Sequence, residues 1–237
     1  GYIAKWNPAT NTFSALPTGL NGPVNALAMG VDGKLYVGGY FTATNGGTTL
    51  NYIGVWDGAN WTALGTGTND LIHAMAVGPD GSLYVGGNFT TAGGVTVNCI
   101  AKWNGSAWSA LGTGMGGTVK QVNALMIGMN GLLYVGGVFT TAGGVTVMNI
   151  AKWNGAAWSA LGTGTNNTVH AMAIGPDGTL YIGGLFTTAG GVTVNYIAKW
   201  NGMAWSALGT GMDHSIYSLT VGSDNSIYIG GVFTTAG

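Results

Sequence analysis

Apolar residues in this chain come in short runs of about five to seven that end at glycine, asparagine or a Pro-Asp-Gly step, and no stretch sustains the 3.6-residue spacing of a helix. One segment shows the pattern clearly. Val169 to Ile174, Leu180 to Phe186, Tyr196 to Trp200 and Ala204 to Leu208 are rich in β-branched and aromatic residues, which predicts four strands. Pro176-Asp177-Gly178 and Asn201-Gly202 separate them, and both predict tight hairpins in which glycine supplies the positive φ. Almost no helix is expected.

The segment is one of five copies. Ile-Ala-Lys-Trp-Asn recurs with small changes at Ile3, Ile53, Ile100, Ile150 and Ile197, and Leu-Tyr-Val-Gly-Gly-x-Phe starts at Leu35, Leu83, Leu133, Leu180 and Ile227. The repeats are 47 to 50 residues long. Four antiparallel strands per repeat cannot cover both their faces alone, but units packed face to face around an axis can. The chain therefore predicts an all-β fold: a five-bladed β-propeller with four antiparallel strands per blade, forming a single domain over residues 1–237. A solenoid would need polar capping repeats at its ends, and none is visible. The chain starts with the third and fourth strands of a unit (Tyr2 to Trp6, Thr12 to Leu16) and stops after the first and second strands of another (Ile216 to Val221, Ile227 to Phe233). The last blade is thus expected to be shared between 1–23 and 214–237, with N-terminal strands pairing with C-terminal ones to close the ring and remove its edges.

Composition narrows the function classes. Of 237 residues, six are Lys and seven Asp, with no Arg or Glu, for a formal net charge of −1. Six scattered lysines cannot neutralise a phosphate backbone, so no nucleic-acid partner is expected. Glycine or asparagine interrupts every apolar stretch well before the roughly 18 residues a spanning helix needs, so no membrane span is expected either. Cys99 is alone, which leaves no internal disulfide. The start Gly1-Tyr2-Ile3 reads as a processed product or an excised segment.

The diglycines after the second strand (Gly38-Gly39, Gly86-Gly87, Gly136-Gly137, Gly183-Gly184, Gly230-Gly231), followed by a later aromatic pair, resemble the kelch repeat. Trp6-Asn7-Pro8-Ala9-Thr10-Asn11-Thr12-Phe13 is the copy nearest to the kelch aromatic-Asp-Pro-x-Thr-Asn-x-Trp segment, and the other copies shorten that hairpin by two residues. Kelch propellers more often have six or seven blades. In blade number and repeat length the chain is also similar to the tachylectin-type five-bladed lectins, although their sugar-contacting residues have no match here. The resemblance implies that the Trp positions belong to the packing between blades. Burying ~150 to 250 Å² per Trp at ~25 cal/mol/Å² is worth roughly 4 to 6 kcal/mol each before entropy, against ~0 to 1 kcal/mol for a surface ion pair.

Function is sought where the copies disagree at one position. The second residue of the first strand is Asn25, His73, Asn123, His170 and Tyr217. If that strand lines a central channel, these five form a polar ring at its mouth that could hydrogen-bond a small ligand; the plainer reading is solvated strand starts bridged by water. No metal site is expected: His73 and His170, even joined by His214, have no Cys, Glu or paired Asp beside them. No cofactor is expected. Asp32, Asp57, Asp80, Asp177 and Asp224 fall in separate turns, which explains them by turn chemistry and supplies no carboxylate pair. No catalytic residue is assigned. Asn60, Asn88, Asn104 and Asn166 head Asn-x-Ser/Thr triplets that a secretory setting could glycosylate. The loops Thr90 to Val97, Thr140 to Val147 and Thr187 to Val194 are nearly identical, a repeated surface suited to multivalent weak binding or to lateral packing.

These readings predict a non-catalytic recognition module, extracellular or particle-surface, whose partner is a glycan or another protein surface. The alternative is a structural component of a surface layer, filament or virion shell, because low net charge permits close association into a larger particle. A kelch-type copper oxidase is a third reading. It would need a Cys crosslinked to a Tyr, whereas Cys99 merely replaces the tyrosine found at Tyr2, Tyr52 and Tyr196.

Overall fold

A computed structural model describes all residues 1–237, and every regular element in it is a β-strand. No helix is long and apolar enough to cross a membrane. The chain divides into two compact units, Gly1–Ala110 and Leu111–Gly237.

The first unit opens on a two-stranded hairpin, Ala4–Asn7 with Thr12–Ala15. Two four-stranded antiparallel sheets follow, Val24–Met29, Leu35–Gly39, Ile53–Trp56, Trp61–Ala63 and then Ile72–Val77, Leu83–Gly87, Ile100–Trp103, Trp108–Ala110. The second unit holds two more, from Gln121–Ile127 to Trp158–Ala160 and from Val169–Ile174 to Trp205–Ala207, and ends on the hairpin Ile216–Val221 with Ile227–Gly231. In each complete sheet the strands follow chain order, so the repeat read from the sequence is one four-stranded meander.

The predicted strand of Val169 to Ile174 matches its observed bounds, and the neighbouring ones shorten to Leu180–Gly184, Ile197–Trp200 and Trp205–Ala207. Asn201-Gly202 does not make a two-residue hairpin. Trp200 pairs with Trp205, leaving four residues in the turn, and Asn201 Oδ1 accepts from Met203 N and Ala204 N, 2.9 Å each. The two rings meet across the strands with centroids 5.2 Å apart. Two-residue arms such as Thr188–Ala189 with Val192–Thr193 form the repeated Thr/Gly loops, which the sequence reading left without structure.

The core repeats with the sequence. Phe41, Phe89, Phe139 and Phe186 are buried after each diglycine, and Trp61, Trp108, Trp158 and Trp205 are buried on the fourth strands. Each of these indoles also donates to a carbonyl of the preceding repeat: Trp61 to Thr18, Trp108 to Leu64, Trp158 to Leu111 and Trp205 to Leu161, all at 2.8 Å. The tryptophan thus supplies both apolar area and the one polar bond its N–H needs. Phe13, which occupies the same place in the opening hairpin, is 76 % exposed.

Candidate functional site

Each of the five variable first-strand residues sits on a β-bulge. Register shifts between Val24 and Ala26, Ile72 and Ala74, Val122 and Ala124, Val169 and Ala171, and Ile216 and Ser218, so Asn25, His73, Asn123, His170 and Tyr217 are the residues left outside the ladder. The bulge frees their side chains to reach sideways. Asn25 Nδ2 donates to Ile72 O at 3.0 Å, and Asn123 Nδ2 donates to Val169 O at 3.2 Å, in each case a carbonyl of the next sheet. His170 Nδ1 lies 3.5 Å from Asn123 Nδ2, and its ring tilts against Tyr217 with centroids 5.2 Å apart. Asn123, His170 and Tyr217 are therefore brought together, while Asn25 reaches the strand that carries His73. Burial pushes His73 and His170 below the ordinary imidazole value, because desolvation disfavours the charged rings. His73 Nε2 and Asn88 Oδ1 are both buried without a partner.

A second feature lies on the loops. In the first unit, Asn51, Tyr52, Thr66, Thr68, Asn69 and Thr91 surround a hollow of about 390 Å³. In the second, Met148, Asn149, Thr163, Thr165, Asn166 and Thr188 surround one of about 430 Å³. Position by position these are the same places in the repeat, with Met148 and Asn149 standing for Asn51 and Tyr52. Both hollows are held open by one device. Asn69 Oδ1 accepts from Thr90 N and Thr91 N at 2.9 Å, and its Nδ2 donates to Thr90 Oγ1 at 2.9 Å; Asn166 clasps Thr187 and Thr188 in the same way. A glycine at the base is obligatory, since Gly67 has φ +74° and a Cβ there would fall 2.4 Å from Asn51 O. Gly164 stands against Met148 O in the same manner, at 2.3 Å.

The place of Asn69 and Asn166 is taken near the chain end by Asp213. It accepts from Thr234 N at 2.8 Å, Thr235 N at 3.1 Å and the Thr234 hydroxyl, and the hydroxyl together with those two N–H groups holds its carboxyl far below the usual carboxylate range. The turn aspartates behave as their turns predict: Asp80 accepts from Ser82 N and Asp177 from Thr179 N, 3.0 Å each. Of the four Asn-x-Ser/Thr triplets, Asn166 is committed to its clasp and Asn88 has a buried carbonyl, whereas Asn60 and Asn104 lie exposed in turns.

The hollows present hydroxyls, amides and peptide groups with no charged side chain among their lining residues, so they suit a neutral ligand rich in hydroxyls. Sequence reasoning picked out the Thr/Gly loops but missed Asn51, Thr66, Thr68, Asn69 and their equivalents. Asn69 lies 21 and 22 residues from the Thr90 and Thr91 it clasps, and only the repeat offset itself could have signalled the set.

A family described as a domain of unknown function (DUF5122) beta-propeller matches residues 32–53, 78–104 and 175–201. No curated protein matches the chain in sequence. Among solved structures, the extracellular domain of BT4673 from B. thetaiotaomicron superposes with a TM-score of 0.66 at 13 % identity, over 98 % of this chain and 29 % of that one. The RRP9 WD40 repeats give 0.64 at 14 % identity, over 96 % of this chain and 66 % of theirs. Virginiamycin B lyase from Staphylococcus aureus gives 0.55 at 12 % identity, over 89 % and 65 %. The chain thus spans less than a third of BT4673 and about two thirds of the others. At such identities the likeness concerns the fold, and the fold is a β-propeller.

Proposed function

Starting from a β-propeller, we propose that this chain is a non-catalytic, extracellular or particle-surface recognition module that binds a polyhydroxylated ligand such as a glycan at the repeated hollows of its loops. The observation that carries this reading is the recurrence of one neutral hollow, built at the same repeat positions and closed by the same asparagine clasp, in both units. Hydroxyl, amide and peptide groups are the partners that sugar hydroxyls take, and two weak sites on one chain combine through effective concentration. The extracellular setting is supported by the BT4673 and BT3049 neighbours from B. thetaiotaomicron, both of them extracellular domains. The bulge residues Asn25 and His73 in the first unit, and Asn123, His170 and Tyr217 in the second, are assigned a secondary role in tying successive sheets of their own unit together.

A glycan array followed by calorimetry on the hits tests the reading. Asn69→Ala should weaken binding at the first-unit hollow and Asn166→Ala at the second. The double variant should lose more than tenfold in avidity on a multivalent surface. An array without hits, with no sugar raising the melting temperature, would sink the proposal.

A further inference from the structure

Asparagine is followed by glycine six times in the chain, at Asn21, Asn45, Asn104, Asn130, Asn154 and Asn201. The pair carries its own chemistry, because a glycine nitrogen, with no Cβ beside it, has open access to the asparagine side-chain carbonyl carbon. The structure sorts the six. Asn104, Asn154 and Asn201 share one repeat position, in the turn between the third and fourth strands of a sheet, and all three are exposed.

In these turns the side chain folds back over its own glycine peptide. Asn104 Oδ1 accepts from Ser106 N at 3.0 Å, Ala107 N at 2.8 Å and Ser106 Oγ at 3.0 Å. Asn154 Oδ1 accepts from Ala156 N at 3.0 Å and Ala157 N at 2.8 Å, and Asn201 Oδ1 from Met203 N and Ala204 N at 2.9 Å each. Oδ1 is the atom that takes up negative charge when Cγ is attacked, so these donors form a small oxyanion hole already in place. The attacking groups are free as well. The N–H groups of Gly105, Gly155 and Gly202 bond to no other residue, and a Cβ on any of the three would meet nothing within 4 Å, which leaves room for a ring to close.

The other three pairs each lack a part. Asn130 Oδ1 accepts from Leu132 N alone, at 3.1 Å, and Gly131 N is occupied in donating to Gly128 O at 2.9 Å. Asn21 Oδ1 reaches across to Thr42 N and Ala43 N, and Gly22 is crowded, with Phe41 Cα 3.1 Å from where a Cβ would stand. Asn45 Oδ1 accepts no hydrogen bond.

A fourth copy of the turn shows that a carboxylate fits it. Asp57 holds the same position, and its Oδ1 accepts from Asn60 N at 2.7 Å and Ala59 N at 2.8 Å. Those two N–H groups hold its carboxyl below the usual carboxylate range. In the remaining copy Asn7 precedes Pro8, whose nitrogen has no proton to lose.

We propose that the turns at Asn104, Asn154 and Asn201 are sites of self-modification, in which asparagine deamidates on its own glycine. The glycine nitrogen gives its proton to hydroxide and bonds to Cγ. The Cγ–Nδ2 bond then breaks, and ammonia leaves with a proton taken from water. A water molecule opens the resulting five-membered imide at either carbonyl, which leaves aspartate or isoaspartate. Each event consumes one water, releases one ammonia and adds one negative charge, so all three would take the formal charge from −1 to −4. The Ser106 hydroxyl, a third donor on Oδ1, makes Asn104 the fastest of the three. This holds whether or not the hollows bind sugar.

Peptide mapping by mass spectrometry of the full folded chain, made in bacteria and aged in mildly alkaline buffer, tests the proposal, with the same chain aged in denaturant as reference. Asn104, Asn154 and Asn201 should convert at least as fast folded as unfolded, whereas Asn21, Asn45 and Asn130 should be slower in the folded chain. Asn104 should lead Asn154 by about 2- to 10-fold, the worth of one hydrogen bond. The repeats supply the controls, since Ser106 and Ala156 share a position. Ser106→Ala should bring Asn104 down to the Asn154 rate, and Ala156→Ser should lift Asn154 to the Asn104 rate. Isoelectric focusing should show the acidic species accumulating while the circular dichroism stays that of the parent. Turn asparagines that react more slowly folded than unfolded, or rates at Asn104 and Asn154 that neither exchange moves, would overturn it.

Discussion

Replacing Trp158 by phenylalanine isolates the bond that ties one repeat to the next. Trp158 is 7 % exposed, and its Nε1 donates at 2.8 Å to Leu111 O, in a residue that is itself buried. Phenylalanine removes the donor, while the carbonyl keeps its bond from Gly114 N at 3.2 Å, so the cost is that of one hydrogen bond, about 0.5–1.5 kcal/mol. It also buries roughly 50 Å² less apolar area, about 1 kcal/mol at ~25 cal/mol/Å². The expected loss is about 1.5–2.5 kcal/mol, read from urea unfolding followed by far-ultraviolet circular dichroism so that loss of a fluorophore does not intrude. The chain carries its own controls. Trp205→Phe removes the bond to Leu161 O in the same way, with Gly164 N still donating to that carbonyl, and should cost a similar amount. Phe13→Trp, at the same repeat position but 76 % exposed, should move stability by no more than about 0.5 kcal/mol. If Trp158→Phe unfolds within about 0.5 kcal/mol of the parent, the indole bond does not hold the repeats together and the reasoning fails.

Other outcomes follow from single contacts. Gly143 has φ +56° and would place a Cβ 2.3 Å from Trp158 Cδ1, whereas its neighbour Gly144 has φ +84° and open space around it. Gly144→Ala should cost about 1–2 kcal/mol of left-handed strain, and Gly143→Ala that amount plus the displacement of the indole, a difference that paired thermal melts would show. His73 and His170 are held below the ordinary value of 6.5 by burial. The unfolded chain therefore binds more protons than the folded one between the lowered values and about 6.5, and stability should be full above that pH and fall as it drops through the window. Asparagine already occupies this position at Asn25 and Asn123, so a His73→Asn/His170→Asn chain should lose that part of the pH dependence. Equal slopes for parent and variant in melts between pH 7 and 5 would contradict the assignment.

The alternation of short apolar runs with glycine and asparagine was enough to predict strands without helices, five repeats and a propeller. Each of these depends on local periodicity, and every repeat restates it. The bland reading of the turn aspartates was legible for the same reason, since Asp80 and Asp177 each accept from the backbone N–H two residues along the chain. Other features depended on what lies beside a residue in space. The bulge at the five variable positions comes from two strands differing in count by one residue, and sequence marks neither strand as the longer. Asn69 looks like any loop asparagine until the fold brings it against Thr90 and Thr91. The equal-looking copies also hide unequal burial. Leu27 and Met172 share a repeat position, but Leu27 is 55 % exposed and Met172 is 6 % exposed. Sequence determined the unit and its copying, because backbone preference and side-chain period are local. Only the tertiary structure decided which copies are covered, because burial depends on the neighbour a surface has.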